Sequence, residues 1–297
     1  MDVVKCEAFL SAVDCGSFTA AAESLGYTQS GITRMINSLE AEMGFPLFVR
    51  SKKGVVLTEN GQMMLSVFQD IVHAHKNVEQ LSADIRGFVK GSLSIGSYFS
   101  ISAIWMPDIL SRFMALYPGI KVNLREGGNL EMSRWLNESS VDCCFCAEPS
   151  SDTNCDWLPL FRDELVVWLP KDHPKAGAEK FVLSELENEP FIMTSPNHDT
   201  DQDRLLAEAN LSPDICLSTK DGYSTYNMVA AGLGISFNQR LISSKWDGSV
   251  VELPFEPPKY VSLGIAVPVL RASSPATKKF IECAKEIITL FQKSTKR

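Results

Sequence analysis

The first sixty residues divide into three helix-length runs separated by glycines, and this punctuation restricts the chain more than any other feature it carries. Residues 3–14 set Val4, Phe9, Leu10 and Val13 along one side, and Gly16 follows where a helix ends in a left-handed residue. Ser17 can cap a second run, Phe18 to Leu25, whose Ala20, Ala21 and Ala22 let a neighbouring helix come close. Gly26-Tyr27 turns the chain and Thr28 supplies the next cap. Ile32, Met35, Ile36, Leu39 and Met43 then recur at helical spacing. The opposite side carries Gln29, Ser30, Thr33, Arg34 and Asn37, donors and acceptors suited in length to base edges and phosphates. A short alanine-rich helix, a glycine-containing turn and a helix with a polar leading edge make a helix-turn-helix, here over about 18–37. Its leading end would enter a major groove, where the helix dipole favours phosphate, and Gly31 lets the backbone approach.

Two β-prone runs follow, Gly44 to Arg50 and Val55 to Thr58, on either side of Ser51-Lys52-Lys53-Gly54, and they read as a hairpin wing. Arg50, Lys52 and Lys53 form a local basic patch. The patch matters because the chain as a whole is acidic, with a net charge of −8, and residues 1–88 hold seven basic against ten acidic side chains. Global charge therefore gives no nucleic-acid signature, and the DNA reading rests on local pattern. Any single cap or turn here fits a generic three-helix core; the ordered combination is far more specific. Phe9, Gly16-Ser17-Phe18-Thr19, Ala21-Ala22, Leu25, Thr28-Gln29-Ser30, Ile32-Thr33-Arg34, Leu39-Glu40, Gly44, Leu47-Phe48, Arg50, Gly54, Leu57-Thr58 and Gly61 closely resemble the signature of LysR-type transcriptional regulators. One departure is Ser30-Gly31, where many members carry Pro before a small residue.

From Thr58 to about Phe88 runs a helix-compatible stretch without proline. Met64, Phe68, Ile71, His75, Val78, Leu81 and Ile85 approximate a heptad seam. About thirty residues at ~1.5 Å rise make a rod of ~45 Å. A single apolar stripe on such a rod needs covering, either by the chain's own domain or, as length and position favour, by a second copy. The resemblance implies antiparallel pairing of these helices and assembly of four chains. Gly87, Gly91 and Ser92 then loosen the chain at a hinge. The expected domains are thus a winged helix-turn-helix over 1–58, a linker and dimerisation helix over 59–88, and an effector domain over 91–297.

Strand-like runs at Leu93–Ser97, Ile120–Arg125, Val141–Phe145, Leu165–Leu169, Pro190–Met193, Ile215–Thr219, Gly234–Phe237 and Val261–Val267 alternate with helix-like ones. The helical candidates are Ile101–Leu116, Leu130–Asn137, Gln202–Ala209, Tyr223–Ala231 and Ala276–Phe291. Such alternation predicts an α/β fold with mostly parallel sheets. Leu93-Ser94-Ile95-Gly96, Tyr117-Pro118-Gly119, Lys171-Asp172-His173-Pro174 and Val229 to Ile235 resemble the same family's effector domain, which is similar to periplasmic binding proteins. That resemblance implies two lobes, one from about 91–161 with 268–297 and the other from about 162–267.

In α/β folds, ligands bind beyond the carboxyl ends of strands, where helix starts converge. The chain after the first strand supplies Ser97, Ser100 and Ser102, and the second strand ends near Asn129. Thr194 and Ser195 follow another strand, and Thr225 and Tyr226 open a helix. Hydroxyls beside free helix N–H groups suit a small anionic or polar effector, although each could merely cap its helix. The resemblance favours Ser100, Ser102, Asn129 and Thr194.

Motifs for nucleophilic hydrolysis, zinc proteolysis and phosphate cradling are absent, so an enzyme is not expected. No cofactor is expected either: the eight cysteines form no Cys-x-x-Cys pair, and His73 and His75 point different ways on a helix. Cys143, Cys144 and Cys146 keep a thiol redox sensor open as the alternative to a metabolite sensor, though buried core thiols fit the pattern better. No run reaches the length of a membrane span or resembles a signal peptide, so the cytoplasm is the expected compartment. The expected partners are double-stranded DNA, a small-molecule effector, further copies of the chain and RNA polymerase, with no membrane.

Overall fold

The computed structural model describes residues 2–51, 54–86 and 90–295. Its head comprises α1 (Val3–Cys15), α2 (Phe18–Leu25), α3 (Gln29–Met43), β1 (Phe48–Ser51) and β2 (Gly54–Leu57). α2 and α3 start on their expected caps, Ser17 Oγ accepting from Thr19 N–H and Thr28 Oγ1 from Gly31 N–H, α1 starts on Asp2, which accepts Val4 N–H, and Gly16, Gly26 and Gly44 end the helices at positive φ. The apolar faces converge on Phe9, Ile32, Ile36, Leu39, Leu47 and Phe48. The Phe9 ring lies 5.1 Å from Phe48 and 4.9 Å from Phe68, so a residue of the next helix belongs to this core.

The hairpin is antiparallel, Phe48 opposite Leu57 and Ser51 opposite Gly54. Near its turn it is fixed to the end of α1: Val55 N–H donates to Gly16 O at 2.9 Å. Gly54, at φ +128°, passes so near Gly16 that a Cβ there would stand 2.4 Å from that carbonyl oxygen, which only glycine tolerates.

The linker helix α4 (Glu59–Ile85) starts on Thr58, whose Oγ1 accepts from Gly61 N–H and donates to Pro46 O. Its apolar seam does not stay together as the heptad pattern suggests. Met64, Phe68 and Ile71 pack into the head, with Val72 beside them, because the head's open side lies directly over this stretch. Val78, Leu81 and Ile85 remain 64, 51 and 78% exposed, and Met63 and Val67 are exposed as well. His75 belongs to neither set; it is exposed and faces Glu79 at 3.7 Å.

A polar face of the same helix meets the sensor. His73 Nε2 lies 3.3 Å from Asp142 Oδ1, Asn77 Nδ2 donates to Ala272 O, Gln80 Nε2 donates to Ser92 O, and Asp84 pairs with Lys279 at 2.8 Å.

Lobe I is built on β3 (Gly91–Ser97), β4 (Ile120–Glu126) and β5 (Cys143–Ala147), with α5 (Phe99–Ile104), α6 (Met106–Leu116) and α7 (Asn129–Asn137) between them. The expected single helix over 101–116 is two, because Pro107 occupies the first turn of α6 and the chain breaks at Trp105. The strand β6 (Asp156–Leu169) is far longer than its apolar half, Leu165–Leu169, suggested.

Lobe II adds β7 (Phe181–Val182), β8 (Pro190–Thr194), α8 (Asp201–Ala209), β9 (Asp214–Thr219), α9 (Gly222–Ala230), β10 (Ser236–Gln239), α10 (Arg240–Ser243) and β11 (Val251–Glu256). The chain then returns through β12 (Tyr260–Val267) to α11 (Pro275–Thr295) on lobe I.

The sensor's strands form a mixed eight-stranded sheet and a separate parallel pair, β8 and β9, rather than mostly parallel sheets. β3 is parallel to β4 and β5, and β8 is parallel to β9, but β6 runs antiparallel to β10, β11 and β12. Asp156–Glu164 of β6 pairs with β12 and Leu165–Leu169 lies between β10 and β11, so one strand serves both lobes. β12 also pairs with β5 from Leu263 to Ala266. The return to lobe I therefore comes near 260, not at 268, because β12 completes the first lobe's sheet.

Candidate DNA-reading head and ligand cleft

In the head, Gln29, Ser30 and Arg34 are exposed on the leading turns of α3, and Thr33 is half-buried. Gln29 Nε2 donates to Thr33 Oγ1, which itself donates to Gln29 O, so this pair is pre-ordered on the outward face. Arg34 forms no hydrogen bond or ion pair among the described residues. Asn37 and Arg50 differ in kind from the rest. Arg50 Nη2 donates to Asn37 Oδ1 at 2.5 Å and to Glu40 Oε2 at 3.1 Å, with its guanidinium 5.1 Å from the Phe18 ring. Glu40 Oε1 meanwhile accepts Leu47 N–H at 2.8 Å and Phe48 N–H at 3.1 Å. This clamp joins the recognition helix to the wing, and sequence reasoning missed Glu40 because a lone carboxylate on a helix reads as solvated. The Lys52 and Lys53 expectations lie outside the described residues.

Between the lobes lies a cleft of about 900 Å³, within the range of ligand sites. The ends of β3, β4, β8, β9 and β10 and the starts of α5, α7, α8 and α9 open into it. Ser100, Asn129, Thr194 and Ser195 line it. Four other expected residues do not. Ser97 is buried and donates to Tyr98 O. Ser102 faces away on α5, its Oγ buried without a partner among the described residues. Thr225 lies behind the wall, where its Oγ1 meets Thr194 Oγ1 at 2.7 Å and Thr219 Oγ1 at 2.6 Å. Tyr226 is core, its ring 5.3 Å from Trp168 and 4.8 Å from Trp246. Alternate residues of a short helix cannot all face one cavity, and the sequence did not say which would.

Several lining residues carried no sequence signal. Gln202 staples three elements: its Oε1 accepts Thr194 N–H, and its Nε2 donates to Phe237 O and Ser236 Oγ. Gln239 accepts from Ser100 Oγ at 3.4 Å and donates to Asp201 Oδ2 at 2.5 Å, a chain that crosses from lobe I to lobe II. A second crossing runs from Tyr98 Oη to Asn129 Oδ1 and from Asn129 Nδ2 to Asp199 O. Arg204 makes the third: it grips Asp199 with two nitrogens and donates to Glu148 O. Burial pushes the Tyr98 hydroxyl well above its usual pKa, with the Asp201 charge adding to the effect. Burial likewise raises the Asp201 carboxyl against the opposing hydrogen bond from Gln239. Asp163, on β6 where the lobes join, is raised to about 7 by burial although it accepts Leu241 N–H.

The family model "LysR substrate binding domain" matches residues 86–288, and "Bacterial regulatory helix-turn-helix protein, lysR family" matches residues 4–62. The chain belongs to the LysR family. This LysR-type regulator is 28% identical to an uncharacterized HTH-type transcriptional regulator of Bacillus subtilis, YvbU, over 97% of this chain and 99% of that one. Among solved structures it is similar to a full-length OxyR variant from Pseudomonas aeruginosa, at 22% identity and a TM-score of 0.78 over 98% of both chains. It is also similar to full-length CbnR in complex with its target DNA, at 18% identity and a TM-score of 0.63 over 97% of this chain and 100% of the other. These likenesses show the fold of the LysR-type regulator from end to end.

All eight cysteines are free thiols. Cys143 faces the main lobe I core, and Cys144 and Cys146 face the smaller core under α7, as strand alternation requires. Burial raises the pKa of all three, which suppresses the thiolate that oxidants attack. Among the described residues no group of side chains could hold a metal ion, and no helix is long and apolar enough to cross a membrane.

Proposed function

We propose that this LysR-type regulator reads duplex DNA with the outward face of α3 and is controlled by a small polar metabolite held between its lobes. The observation that carries the DNA reading is the division of labour on α3. Ile32, Ile36 and Leu39 are wholly buried and supply the packing, while Gln29, Ser30 and Arg34 stay exposed and take no part in that core. Arg34 has the reach and fork geometry for a guanine edge. The Arg50 clamp holds the wing at a fixed angle to that helix, so the two engage neighbouring stretches of backbone together.

A second copy covers Val78, Leu81 and Ile85, which otherwise leave an apolar stripe on a 27-residue helix facing water. Pairing brings two heads to one operator. Metabolite binding biases lobe closure because the cleft's walls are the crossing contacts themselves, and a ligand that replaces them has different affinity for open and closed forms. Burial of Cys143, Cys144 and Cys146 supports metabolite sensing over thiol oxidation.

The test is selection of bound fragments from the source genome by the purified protein, followed by gel shifts at several salt concentrations. Arg34→Ala is expected to weaken the selected site by about 1–3 kcal/mol with unchanged folding. Equal binding of variant and wild type would remove α3 as the reader, and absence of any preferred fragment would remove the DNA function.

A further inference from the structure

The cleft's charge identifies the class of its ligand, an inference that rests on the effector reading above. The helix starts that open into the cleft are where an anion would be expected to dock. At three of the four a carboxylate of the chain's own already stands, and only the start of α5 lacks one. On α7, Glu131 Oε2 accepts the N–H of Gly128 at 3.0 Å. On α8, Thr200 and Asp203 cap each other, Asp203 Oδ2 accepting Thr200 N–H and Thr200 Oγ1 accepting Asp203 N–H. On α9, Asp221 Oδ1 accepts Ser224 N–H at 2.8 Å. A carboxylate from a ligand would therefore meet carboxylates already in position at these ends.

Arg204, the nearest guanidinium, offers an anion no more, since it is spent on Asp199 and on the Glu148 carbonyl. The charged groups lining the cavity are Glu126, Glu131, Asp201 and Asp221 against Lys220. Lys220 is exposed to solvent, whereas Asp201 is half-buried at the cavity floor. Gln239 gives Asp201 one hydrogen bond but no charge, and Arg204, near enough to act on it electrostatically, hydrogen-bonds Asp199 instead, so no cation hydrogen-bonds to this carboxylate among the described residues. Tyr98 and Phe99 stand on the same wall, and aromatic faces attract cations.

We infer that the effector carries a cationic nitrogen, an ammonium or guanidinium, seated against Asp201 and the Tyr98–Phe99 wall. The nitrogen supplies the charge that the buried carboxylate lacks and donates to the oxygen that Gln239 leaves free. An effector whose only charge is negative is disfavoured.

The test is calorimetry and thermal shift on the full-length protein with three probe sets of comparable size. The first holds L-lysine, L-arginine and 1,4-diaminobutane; the second holds succinate, citrate and benzoate; the third holds neutral sugars. Binding is expected within the first set. Asp201→Asn, which keeps the acceptor for Gln239, is expected to weaken it about tenfold or more, the loss of one charge-assisted hydrogen bond. Lys220→Ala is expected to leave it unchanged or tighter. Binding of the second set alone, weakened by Lys220→Ala and indifferent to Asp201→Asn, overturns the charge assignment while leaving the effector reading intact. Binding confined to the sugars overturns it in the same way. Binding by no member of any set counts against the effector reading itself. Should Asp201→Asn not fold, the ranking of the three sets on the wild-type protein still decides.

Discussion

Glu40 is the residue whose removal most directly separates the head's stability from the sensor's. Its side chain is only 16% exposed. One oxygen accepts two backbone N–H groups of the strand entering the wing, and the other receives Arg50. In Glu40→Ala both N–H groups lose their acceptor beside buried Leu47 and Phe48, at about 1–2 kcal/mol each. The Arg50 contact, 41% exposed on the arginine side, adds less than about 1 kcal/mol. The sum, about 2–4 kcal/mol, corresponds to a fall in melting midpoint on the order of 15 °C for a unit of this size. All five tryptophans lie at or beyond Trp105, so fluorescence reports the sensor alone, whereas far-UV circular dichroism also follows the helical head. Glu40→Ala is expected to bring forward an early circular-dichroism transition with the fluorescence midpoint unchanged, and to weaken DNA binding without touching a DNA-facing residue. Glu40→Gln, which retains one acceptor, should recover about half the loss. An unmoved circular-dichroism transition, or equal shifts of both signals, would refute the clamp.

Gly54→Ala should destabilise the same early transition and weaken DNA binding, because the new methyl would stand 2.4 Å from Gly16 O at a φ that alanine resists. Asp163 binds its proton up to a pH of about 7 in the folded sensor but releases it well below that when unfolded, so stability falls as pH rises between the two values. The fluorescence midpoint should therefore drop from pH 5 to pH 7.5, and Asp163→Asn should flatten that slope and raise the midpoint at pH 7.5 by the equivalent of a few kcal/mol; an unaltered slope would sink the assignment. Val78→Arg combined with Leu81→Arg should yield monomers by light scattering with an unchanged melt; persistence of dimers would place the interface elsewhere.

The head was legible because its signals are local. Caps at Ser17 and Thr28 and glycines at 16, 26 and 44 each fix geometry within a few residues, and the structure reproduces them. The linker helix was legible as an element but not in its contacts, since a stripe of apolar side chains cannot distinguish Phe68, which enters the head, from Leu81, which faces solvent. The cleft was located by strand ends, yet half of its expected hydroxyls turned into the protein. Gln202 and Gln239 were invisible because their roles depend largely on partners 34 or more positions away in sequence, such as Ser236 for Gln202 and Ser100 in the other lobe for Gln239. β6 was half seen: its Leu165–Leu169 end is buried on both faces and reads as a strand, whereas Asp156–Asp163 is interrupted by Pro159 and only partly buried, in no regular alternation.

One helix takes part in two structures at once. Phe68 and Val72 of α4 sit inside the head's core, and over about the next three turns His73, Asn77, Gln80 and Asp84 are fastened to lobe I. No slack separates these attachments, so α4 works as a lever with its fulcrum on the sensor. At ~1.5 Å per residue its 27 residues span ~40 Å. The arm beyond the first sensor attachment, from His73 back to Glu59, is about 21 Å long, so a tilt of about 9° sweeps its far end through about 3.3 Å, close to the ~3.4 Å rise of one base pair. On the proposed function, a tilt of that size at the sensor is expected to shift a head by one step along its operator.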